Sequence, residues 1–509
     1  MGTIQGDPDA IVIGSGPNGL VAGCVLAGAG LDVLVLETNE HRAGGALGSE
    51  QSTRPGFVHD VGAAFFPWGR LSPALRSLPL EEHGLRWRSA PIESCHPAPD
   101  GSYACITRNL EGTASDFGNA RDRDRWQSIA RWYRSMEPEL LGLLLGPFPP
   151  TPGQMARVGP RKLAQLSRVF LASGRRLSQR WFTSEAARRV LPGLALHADV
   201  GPEDRFGAGL GFVLGMTATT GGYPVPEGGA GAFAKALIGC LTARGGRIRL
   251  GSRVVRVVIQ DGRARAVRLA DGTQIKARVI LADTDVASLL LDLVGREHVP
   301  GRVANFMQRY PRGWGTFKMD WALDGPVPWS VEEARRSAVV HAGDSIDDLS
   351  RYTAQVRTGA LPDNPYIVIG QQSLVDPSRA PPGSQTLWAY THVPSRVDGG
   401  WATHAERFGD RMDARVEALA PGFKKSIITR RVVSPAQLEA MDANLVGGDL
   451  GGGSNAWNRQ LGFRPMFPYF RYRMPLAGLY LCSSYAHPGG GVHGMCGYNA
   501  AGRVLEDLS

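Results

Sequence analysis

The sequence is poor in the features that mark membrane-spanning, secreted and disulfide-bonded proteins. No run of 18 consecutive apolar residues occurs in the chain, so we expect no transmembrane helix. The opening stretch MGTIQGDPDAIVIG has no basic region and no cleavage-site pattern, so it does not resemble a secretory signal. The six cysteines form no CxxC pair, which favours reduced thiols over a disulfide framework or a metal site.

The chain also lacks the arrangements that identify side-chain catalysis. No Ser-His-Asp order, no metal-ligand spacing and no paired carboxylates stand out. What it has in excess is glycine, with 66 residues clustered in a few stretches rather than spread along a linker. Clustered glycine indicates backbone that turns sharply or lies close to a ligand. Because the chain has 509 residues, we expect two or more structural units.

Positive charge is concentrated in one part of the chain. The net charge is +9, and the segment 157–189 contains nine Arg or Lys residues against one acid, Glu185. Apolar residues lie between the basic ones. Two interpretations follow: a peripheral contact with an anionic membrane surface, or a solvated helix on a small lid domain. The segment is not paired with a known nucleic-acid-binding fold, so we expect no nucleic acid partner.

The N-terminal stretch DAIVIGSGPNGLVAG carries the most informative motif. A short apolar run over 10–13 predicts a buried strand, and 17–28 predicts a helix. Gly14 and Gly16 lie between the strand and the helix, Gly19 lies at the start of the helix, and together they form the pattern G-x-G-x-x-G. In dinucleotide-binding folds these glycines allow a tight turn, approach of the backbone to a pyrophosphate and close helix–strand packing. We therefore predict a dinucleotide at the start of this helix.

Glu37 narrows the class of dinucleotide. It ends the second predicted strand, LDVLVLE, 23 residues after Gly14. A carboxylate there accepts hydrogen bonds from the ribose hydroxyls and repels a 2′-phosphate, so FAD or NAD is favoured over NADP. Another glycine-rich stretch, GAGLGF at 207–212, follows no clean strand, so we predict no second nucleotide-binding motif there.

Two later segments predict how the chain continues. The segment 223–283 predicts a glycine turn, a helix over 232–244 and four short strands, which would return the chain to the nucleotide-binding unit. The stretch GWGTFKMDWALDGPVPW (313–329) alternates apolar and mixed positions, which predicts a strand. Lys318 lies on its less apolar face. It either points at the cofactor, or pairs with Asp320 or solvent at the edge of a sheet.

Taken together, these motifs resemble those of the phytoene desaturase-like flavoproteins, relatives of the flavin amine oxidases. The resemblance covers essentially the whole chain and includes HRAGGALGS, FVHDVGAAFF, GGYPVPEGGAGAFAKAL, FKMDWALDGPVPW and HPGGGVHGMCGYNAA. Within the family the chain is similar to the branch of the pyridine nucleotide-disulphide oxidoreductase domain-containing protein 2, and more distantly to retinol saturase and carotenoid desaturases. The sequence has no CxxC motif despite the name of that branch.

The resemblance implies an α/β fold in three parts. These are a Rossmann-like FAD-binding domain of the amine oxidase and phytoene desaturase type, a discontinuous α+β substrate domain, and a helical cap. The predicted FAD-binding segments are 1–105, 220–285 and 470–509. The predicted substrate segments are 106–219, with the basic helices 155–190 as the cap, and 286–469.

The resemblance also implies noncovalent FAD held by residues from distant parts of the chain. Arg42, Gly44 and Gly45 would hold a second pass of backbone against the diphosphate. Gly62 and Ala63 would run along the isoalloxazine, although Gly62 also fits a simple strand bulge. Val254 would contact the adenine through its backbone. The full predicted set is Gly14, Ser15, Gly16, Pro17, Asn18, Gly19, Glu37, Thr38, Arg42, Gly44, Gly45, Ala46, Gly62, Ala63, Val254, Ser484, Tyr485, Gly491, Gly494 and Met495.

The C-terminal motif SSYAHPGGGVHGMCGYNAAGR predicts the flavin side of the site. A final helix from about residue 492 would direct the N–H groups near Gly494 and Met495 toward flavin O2. Tyr485 replaces the small residue of many relatives, so it would contact the ribityl chain or narrow the substrate slot. The residues predicted for catalysis are Lys318 (linked through water to flavin N5 in flavin amine oxidases), His487, His493 and Tyr498. Each of these side chains also fits a purely structural role.

Three functions stay open at this point. The first is hydride transfer between flavin N5 and a small apolar substrate, in a desaturase, saturase or isomerase of a polyene, isoprenoid or acyl chain. The second is an oxidase or dehydrogenase of a C–N or C–O bond, and the third is a non-catalytic flavoprotein scaffold. The fold by itself does not determine the substrate, because many functions share it. The oligomeric state also stays open, and a homodimer is one of the states considered. We expect a cytoplasmic protein, peripheral at the membrane if the basic helices contact it.

Overall fold

The computed structural model describes residues 6–112 and 116–509, so residues 1–5 of the first predicted segment lie outside it. The strands, in chain order, are β1 Ala10–Ile13, β2 Val33–Leu36, β3 Ser49–Glu50, β4 His59–Asp60, β5 Trp87–Arg88, β6 Ile92–Cys95, β7 Cys105–Ile106, β8 Val225–Pro226, β9 Arg247–Arg249, β10 Val254–Gln260, β11 Arg263–Leu269, β12 Gln274–Lys276, β13 Val279–Ala282, β14 Gly315–Leu323, β15 Ser337–Ala342, β16 Ile367–Gly370, β17 Gln385–Val393, β18 Ile427–Val433 and β19 Leu479–Leu481. The α-helices are α1 Pro17–Gly28, α2 Pro73–Arg76, α3 Ala120–Arg134, α4 Glu137–Leu145, α5 Pro152–Val158, α6 Pro160–Phe170, α7 Gly174–Trp181, α8 Glu185–Arg188, α9 Val190–Ala195, α10 Gly207–Ala218, α11 Ala230–Ala243, α12 Val286–Ser288, α13 Gly301–Met307, α14 Glu332–Arg335, α15 Ile346–Arg357, α16 Gln372–Val375, α17 Trp401–Leu419, α18 Phe423–Ser426, α19 Pro435–Met441 and α20 Met495–Leu508.

A five-stranded parallel sheet, in the order β19-β13-β1-β2-β9, gathers strands from both ends and the middle of the chain. Its central strands are short and apolar, and β1 and β2 are buried at every position. Such continuous burial is typical of parallel strands covered by helices on both faces. The helices α1, α11 and α20 share the hydrophobic core of this sheet. The predicted strand 10–13 and helix 17–28 are confirmed, and the predicted final helix begins at Met495.

A seven-stranded mixed sheet, in the order β18-β14-β17-β16-β15-β6-β7, forms the second unit. Side chains alternate across β14 as the sequence predicted. Phe317, Met319 and Trp321 enter a core shared with α17. Lys318 and Asp320 therefore lie on the opposite face, because successive strand residues point to opposite sides of a sheet.

Sheet membership does not follow two of the predicted segment boundaries. The strands β6 and β7 lie at the end of the first predicted FAD-binding segment, 1–105. They nevertheless join the seven-stranded sheet, in which β6 runs parallel to β15. Residues 286–307 pack instead in the core of the five-stranded sheet, through Leu289 and Val303 among others. In the structure the seven-stranded sheet thus includes β6, before residue 105, and the core of the five-stranded sheet extends past residue 285. These pairings join residues far apart in sequence, which a local pattern does not reveal.

The helices α3 to α10 cover one side of the second sheet as a cap and share a core with it, in which Trp126, Phe182 and Phe212 are buried. The predicted basic helices 155–190 form four short helices, α5 to α8, rather than one long one. GAGLGF lies inside α10 and not in a strand–helix turn, which agrees with its rejection as a nucleotide motif. Among the helices of residues 6–112 and 116–509, none combines the length and apolar character needed to cross a bilayer.

A buried ionic contact joins the strand pair β3–β4 to the segment that follows α16. The Arg379 guanidinium, which is fully buried, lies 3.0 Å from Asp60 Oδ2 and 3.1 Å from Asp376 Oδ2. Asp60 lies on β4, directly before the loop 61–68, and Asp376 also accepts the Gly228 N–H. Because a buried charge is costly when unpaired, this cluster fixes how the loop 61–68 lies over the second sheet.

Candidate functional site

The turn after β1 brings two passes of backbone into contact. Gly14 has φ +92°, a left-handed conformation that favours glycine. A Cβ atom at Gly16 would lie 2.5 Å from Asp283 Oδ2, and one at Gly45 would lie 3.0 Å from the Gly16 Cα. The Gly44 N–H donates to the Ser15 carbonyl at 3.0 Å. Side chains at these positions would fill the cradle that the backbone forms at the start of α1.

Glu37 lies beside this cradle, and its carboxylate can accept a further hydrogen bond. One carboxylate oxygen accepts the Ser15 N–H at 3.0 Å and the Ser15 hydroxyl, and the other accepts the Asn39 N–H at 2.8 Å. A carboxylate has about four acceptor positions, so one remains for a ribose hydroxyl. The Glu37 carbonyl accepts the Ser252 N–H at 2.7 Å, which brings the start of β10 at Val254 to the same end of the site.

The Arg-x-Gly-Gly segment forms the second pass. Arg42 Nη1 donates to the Gly45 carbonyl at 2.8 Å, so this arginine braces its own loop. Ala63 N–H donates to the Ala46 carbonyl at 3.2 Å, and a Cβ at Gly62 would lie 2.9 Å from the same oxygen. The predicted residues from 14 to 63 are thus brought together. This backbone-lined cradle and the buried, unpartnered Asn18 Oδ1 beside it fit a dinucleotide.

Asp283 is a residue of this cradle that the sequence interpretation missed. Its Oδ2 accepts the Gly19 N–H at 2.8 Å, within the first turn of α1. Burial, with additional repulsion from Asp442 and Glu37, raises the pKa of Asp283 from 3.8 to about 7. No short motif marks this aspartate, because it reaches the glycine turn only through the pairing of β13 with β1.

The C-terminal motif lies against the same helix. Gly494 has φ +69°, and a Cβ there would lie 2.8 Å from Val21 Cγ2 on α1. A Cβ at Gly497 would lie only 1.9 Å from the Asn18 carbonyl oxygen, so α20 and α1 pack backbone to backbone. Gly491 approaches the indole of Trp68. The C-terminus is therefore an integral wall of the cradle.

The two histidines of this motif have structural partners. The His493 ring accepts the Met495 N–H through Nδ1 at 3.0 Å, which caps α20, and burial lowers the pKa of His493 to about 3. His487 Nε2 lies 3.0 Å from the Gly146 carbonyl, and burial lowers its pKa to about 4. Tyr498 is half-buried, one turn into α20. Their predicted role in proton transfer stays a prediction.

Tyr485 is fixed among charged and aromatic neighbours. Its hydroxyl accepts Arg312 Nη1 at 2.8 Å and donates to the Asn444 carbonyl at 2.9 Å. Arg312 also forms an ion pair with the buried Asp285. Ser484, the preceding residue, offers its carbonyl to a different arginine, Arg464, at 3.0 Å. Tyr485 thus has a defined orientation, and its contact with a ribityl chain stays a prediction.

Lys318 lies in the interior of the second sheet. Its strand β14 is flanked by β18 and β17, and the side chain is 5% exposed. Lys318 is therefore neither at a sheet edge nor solvated, whereas the pairing with Asp320 that the same alternative predicted is confirmed. Lys318 Nζ pairs with Asp320, whose other carboxylate oxygen lies 3.7 Å from His59 Nδ1. Within residues 6–112 and 116–509, no hydrogen bond or ion pair joins Lys318 to His487, His493 or Tyr498.

A chain of polar side chains continues from Lys318 across the sheet. Tyr390 is its cross-strand neighbour on β17. The Tyr390 hydroxyl lies 2.8 Å from His197 Nδ1, His197 Nε2 lies 2.8 Å from His341 Nε2, and His341 Nδ1 lies 2.8 Å from Ser94 Oγ. Burial lowers the pKa of both histidines and raises that of Tyr390, so the chain is neutral at pH 7. The sequence interpretation missed it, since its members come from four separate segments.

The loop 61–68 connects the cradle to this face of the sheet. Phe65 covers Gly370, where a Cβ would lie 2.2 Å from the phenyl ring, and packs against Trp388 at 6.3 Å between ring centroids. Trp68, three residues on, contacts the His493 ring edge to face at 6.2 Å. The loop is thus the common boundary of the dinucleotide cradle and the Lys318 face.

A separate cavity of about 640 Å³ lies beside Arg312, Val397, Trp401 and Gly447. None of the predicted FAD-binding residues lines it. We therefore do not assign this cavity to the cofactor.

The comparison with protein families decides the identity of the site. The family described as flavin containing amine oxidoreductase matches residues 18–313, more than half of the chain. The chain belongs to this family. It is therefore an FAD-dependent oxidoreductase, and the predicted cofactor, FAD, is confirmed.

Relatives of this flavin oxidoreductase match along almost the full length of both chains. The mouse pyridine nucleotide-disulfide oxidoreductase domain-containing protein 2 is 28% identical, covering 100% of this chain and 95% of its own. A limonene dehydrogenase polypeptide of Castellaniella defragrans is 26% identical, and the match covers 98% of this chain and 95% of that polypeptide. The lycopene-forming phytoene desaturase of Pseudescherichia vulneris is 26% identical, covering 98% and 99%. These relatives confirm the predicted branch.

Solved structures confirm the predicted fold class. An oxidoreductase from Methanosarcina mazei superimposes with a TM-score of 0.64 at 16% identity, covering 98% of this chain and 99% of its own. Cyclohexylamine oxidase from Brevibacterium oxydans superimposes with a TM-score of 0.60 at 16% identity, covering 99% and 100%. The fold is therefore of the amine oxidase type.

Proposed function

We propose that this flavin oxidoreductase removes hydride from an uncharged, apolar substrate, a C–H bond next to a double bond in an isoprenoid, polyene or acyl chain. The observation that carries the proposal is the balance of charge on the Lys318 face. Lys318 and Asp320 neutralise each other within the described sheet. The neighbouring histidines and Tyr390 are neutral at pH 7, as their shifted pKa values require.

This charge balance favours a hydrocarbon over an amine. An amine substrate is a cation at pH 7 and is favoured by an unpaired carboxylate in its slot. Asp320 is committed to Lys318, and burial lowers the pKa of His59 to about 4. The same face offers Trp388 and Phe65 as apolar surface. A neutral hydrocarbon is bound by such a surface without the cost of desolvating a charge.

The chain's residues would act by orienting and drying the site. FAD, when bound, supplies a two-electron acceptor at N5 for the substrate hydride. Phe65 and Trp388 exclude water from the slot. Tyr390 is the polar group beside Lys318 that would orient the substrate, because its hydroxyl is fixed by its hydrogen bond to His197. The proton that desaturation releases from the neighbouring carbon would pass to solvent water. The cradle residues, from Gly14 to Gly45, hold the dinucleotide.

Two of these relatives support this substrate class. One is named a limonene dehydrogenase and the other a phytoene desaturase, and both act on isoprenoid hydrocarbons by their names. At 26% identity they support the class but not the particular hydrocarbon. The proposal takes the direction of hydride transfer as substrate to flavin, as in a desaturase or dehydrogenase.

Oxidation of a C–N or C–O bond is the second candidate function. The observation in its favour is Lys318 itself, a buried lysine on a central strand of a fold shared with putrescine oxidase and cyclohexylamine oxidase. A water held by such a lysine would suit reoxidation by oxygen. The pairing of Lys318 with Asp320 weighs against it, since Asp320 already occupies one of the ammonium's donors and neutralises its charge.

Anaerobic reduction of the bound flavin separates the two functions. The purified enzyme is mixed without oxygen with limonene, with a phytoene-type polyene, or with cyclohexylamine, and loss of the flavin's visible absorbance is followed. We expect bleaching by an unsaturated hydrocarbon and none by the amine. Bleaching by the amine alone, or by none of the hydrocarbons, would contradict the proposal.

A pair of tryptophan variants locates the substrate surface. Trp388→Phe removes part of the apolar wall on the Lys318 face, whereas Trp457→Phe changes an indole that is 56% exposed. We expect the KM for the active hydrocarbon to rise only in the first. Equal effects of both variants would place the substrate elsewhere.

A further inference from the structure

A pocket on the outer surface of the cap lies outside the FAD and substrate regions. It opens between α3, α6 and α7 and has a volume of about 370 Å³. Arg125 of α3, Arg168 of α6 and Arg180 of α7 surround it, together with the indoles of Trp132 and Trp181. We call it the Arg–Trp pocket. Its size lies in the range of sites for small organic ligands.

Within residues 6–112 and 116–509, the three guanidinium groups have no acidic partner, and no Asp or Glu lines the pocket. In the part of the chain that the structure describes, none of the three arginines forms an ion pair, and Arg125 lies only over the Trp181 ring, 5.8 Å from its centroid. Arg175, on the same helix as Arg180, contrasts with them, since Glu203 and Asp347 each lie 2.8 Å from it. The pocket therefore concentrates positive charge that no carboxylate of the described fold neutralises.

The base of the pocket is apolar and aromatic. Trp132 and Trp181 flank Phe212 of α10, at 5.8 Å and 6.2 Å between ring centroids. The buried Val169 and Leu177 also line the pocket, and its remaining lining residues are Ile129 and the polar Ser128 and Gln165. Phe212 is fully buried in the cap core, so the two indoles are held in place from below. A guanidinium rim over an aromatic base is suited to a ligand with an anionic group and an apolar body.

We propose that the Arg–Trp pocket binds the phosphate group of an anionic amphiphile, and that a membrane lipid is its source. Several arginines around one site match the geometry and charge of a phosphate. Indoles beside basic residues are typical of protein surfaces that lie at the boundary between lipid headgroups and water. Leu171 follows α6 directly and is 59% exposed. The membrane contact predicted for the whole basic segment 157–189 is thereby assigned to one specific pocket.

Three ligands separate the sources of the phosphate. The full-length protein with bound flavin is titrated with inorganic phosphate, with soluble short-chain phosphatidic acid, and with vesicles of phosphatidylcholine containing phosphatidic acid. We expect the short-chain lipid to bind at least tenfold more tightly than inorganic phosphate, and the vesicles to sediment the protein. Equal affinity for both soluble ligands, or vesicles that sediment no protein, would overturn the lipid assignment.

Two variants with the same change of charge test the pocket itself. Arg125→Gln/Arg168→Gln/Arg180→Gln removes three charges from the pocket. The control Arg157→Gln/Arg161→Gln/Arg176→Gln removes three charges of α5, α6 and α7 that do not line it. We expect the first variant to weaken binding of the short-chain lipid more than tenfold and the control less than threefold, with flavin content unchanged in both. Equal losses would mean diffuse attraction and no site.

Discussion

The FAD cradle and the Lys318 face are built in opposite ways. In the cradle, Gly14, Gly16 and Glu37 lie within one strand–helix–strand unit and act mainly through the backbone or a single carboxylate. On the Lys318 face, His59 and Tyr390 are brought to the lysine from strands far away in the sequence. A backbone site needs glycine at fixed spacing and so leaves a local motif. A side-chain site depends only on the register between strands that are distant in sequence, so it leaves no local motif.

The largest effect is expected from breaking the buried ion pair. Lys318→Met leaves the Asp320 carboxylate buried and uncompensated, which costs up to about 5 kcal/mol of folding free energy. The double variant Lys318→Met/Asp320→Asn removes both charges and is expected to recover most of that loss. Denaturant unfolding of the flavin-bound proteins measures both. A single variant as stable as the wild type would show that the pair does not organise this face.

In the cradle, Asp283→Asn tests the perturbed carboxyl. The folded chain holds this proton to higher pH than the unfolded chain, so in the wild type stability falls as pH rises from about 4 to about 7. Three pKa units correspond to about 4 kcal/mol, and asparagine still accepts the Gly19 N–H. We expect the variant's gain in stability to grow across this pH range and to level off above it. A gain that does not change with pH would show that Asp283 is not the titrating group.

The same variant reports on cofactor binding. An ionised Asp283 beside the dinucleotide cradle would repel a pyrophosphate, so FAD affinity of the wild type should fall above pH 7 and that of Asp283→Asn should not. Fluorescence titration of the apoprotein with FAD at several pH values measures this. Parallel pH profiles would place the diphosphate away from Asp283.

A smaller effect is expected from the contact between α1 and α20. Gly497→Ala places a methyl group 1.9 Å from the Asn18 carbonyl oxygen, which we expect to cost about 2–3 kcal/mol and to reduce flavin content. Gly502→Ala is the matched control on the same helix, because a Cβ there meets open space. It should gain about 0.5–1 kcal/mol through helix propensity. Flavin retained after deletion of 490–509 would contradict this account of the C-terminus.

The smallest effect on stability is expected from Tyr390→Phe. It removes one hydrogen bond to His197 and costs about 1 kcal/mol. The control Tyr480→Phe removes a comparable bond, from the hydroxyl to Asp507 at 2.7 Å, in the FAD-binding unit. Both variants should keep their flavin, but only Tyr390→Phe should slow flavin reduction by the substrate. Equal rates would remove Tyr390 from the reaction.

The extent to which the site could be predicted follows from this difference. The glycine turn, Glu37, the Arg-x-Gly-Gly segment and the C-terminal helix were predicted because each depends on residues a few positions apart. Asp283 was missed, since it joins the turn through the pairing of β13 with β1. The predicted boundaries at 105 and 285 do not follow sheet membership, because β6 pairs with β15 more than 200 residues away and 286–307 pack in the core of the five-stranded sheet. That Lys318 lies in the interior of a sheet and not at its edge also required the sheet order.

The sequence by itself determined the FAD-binding unit, its cofactor and the position of the C-terminal motif within it. The physical reason is steric. Where two backbone segments come so close that only glycine fits, the sequence shows a glycine at that position. Only the tertiary structure decided that Lys318 is neutralised by Asp320, that a neutral histidine–tyrosine chain lies beside it, and that three unpaired arginines converge on two indoles in the cap. These depend on burial and on contacts between distant segments, which set the charge of each group.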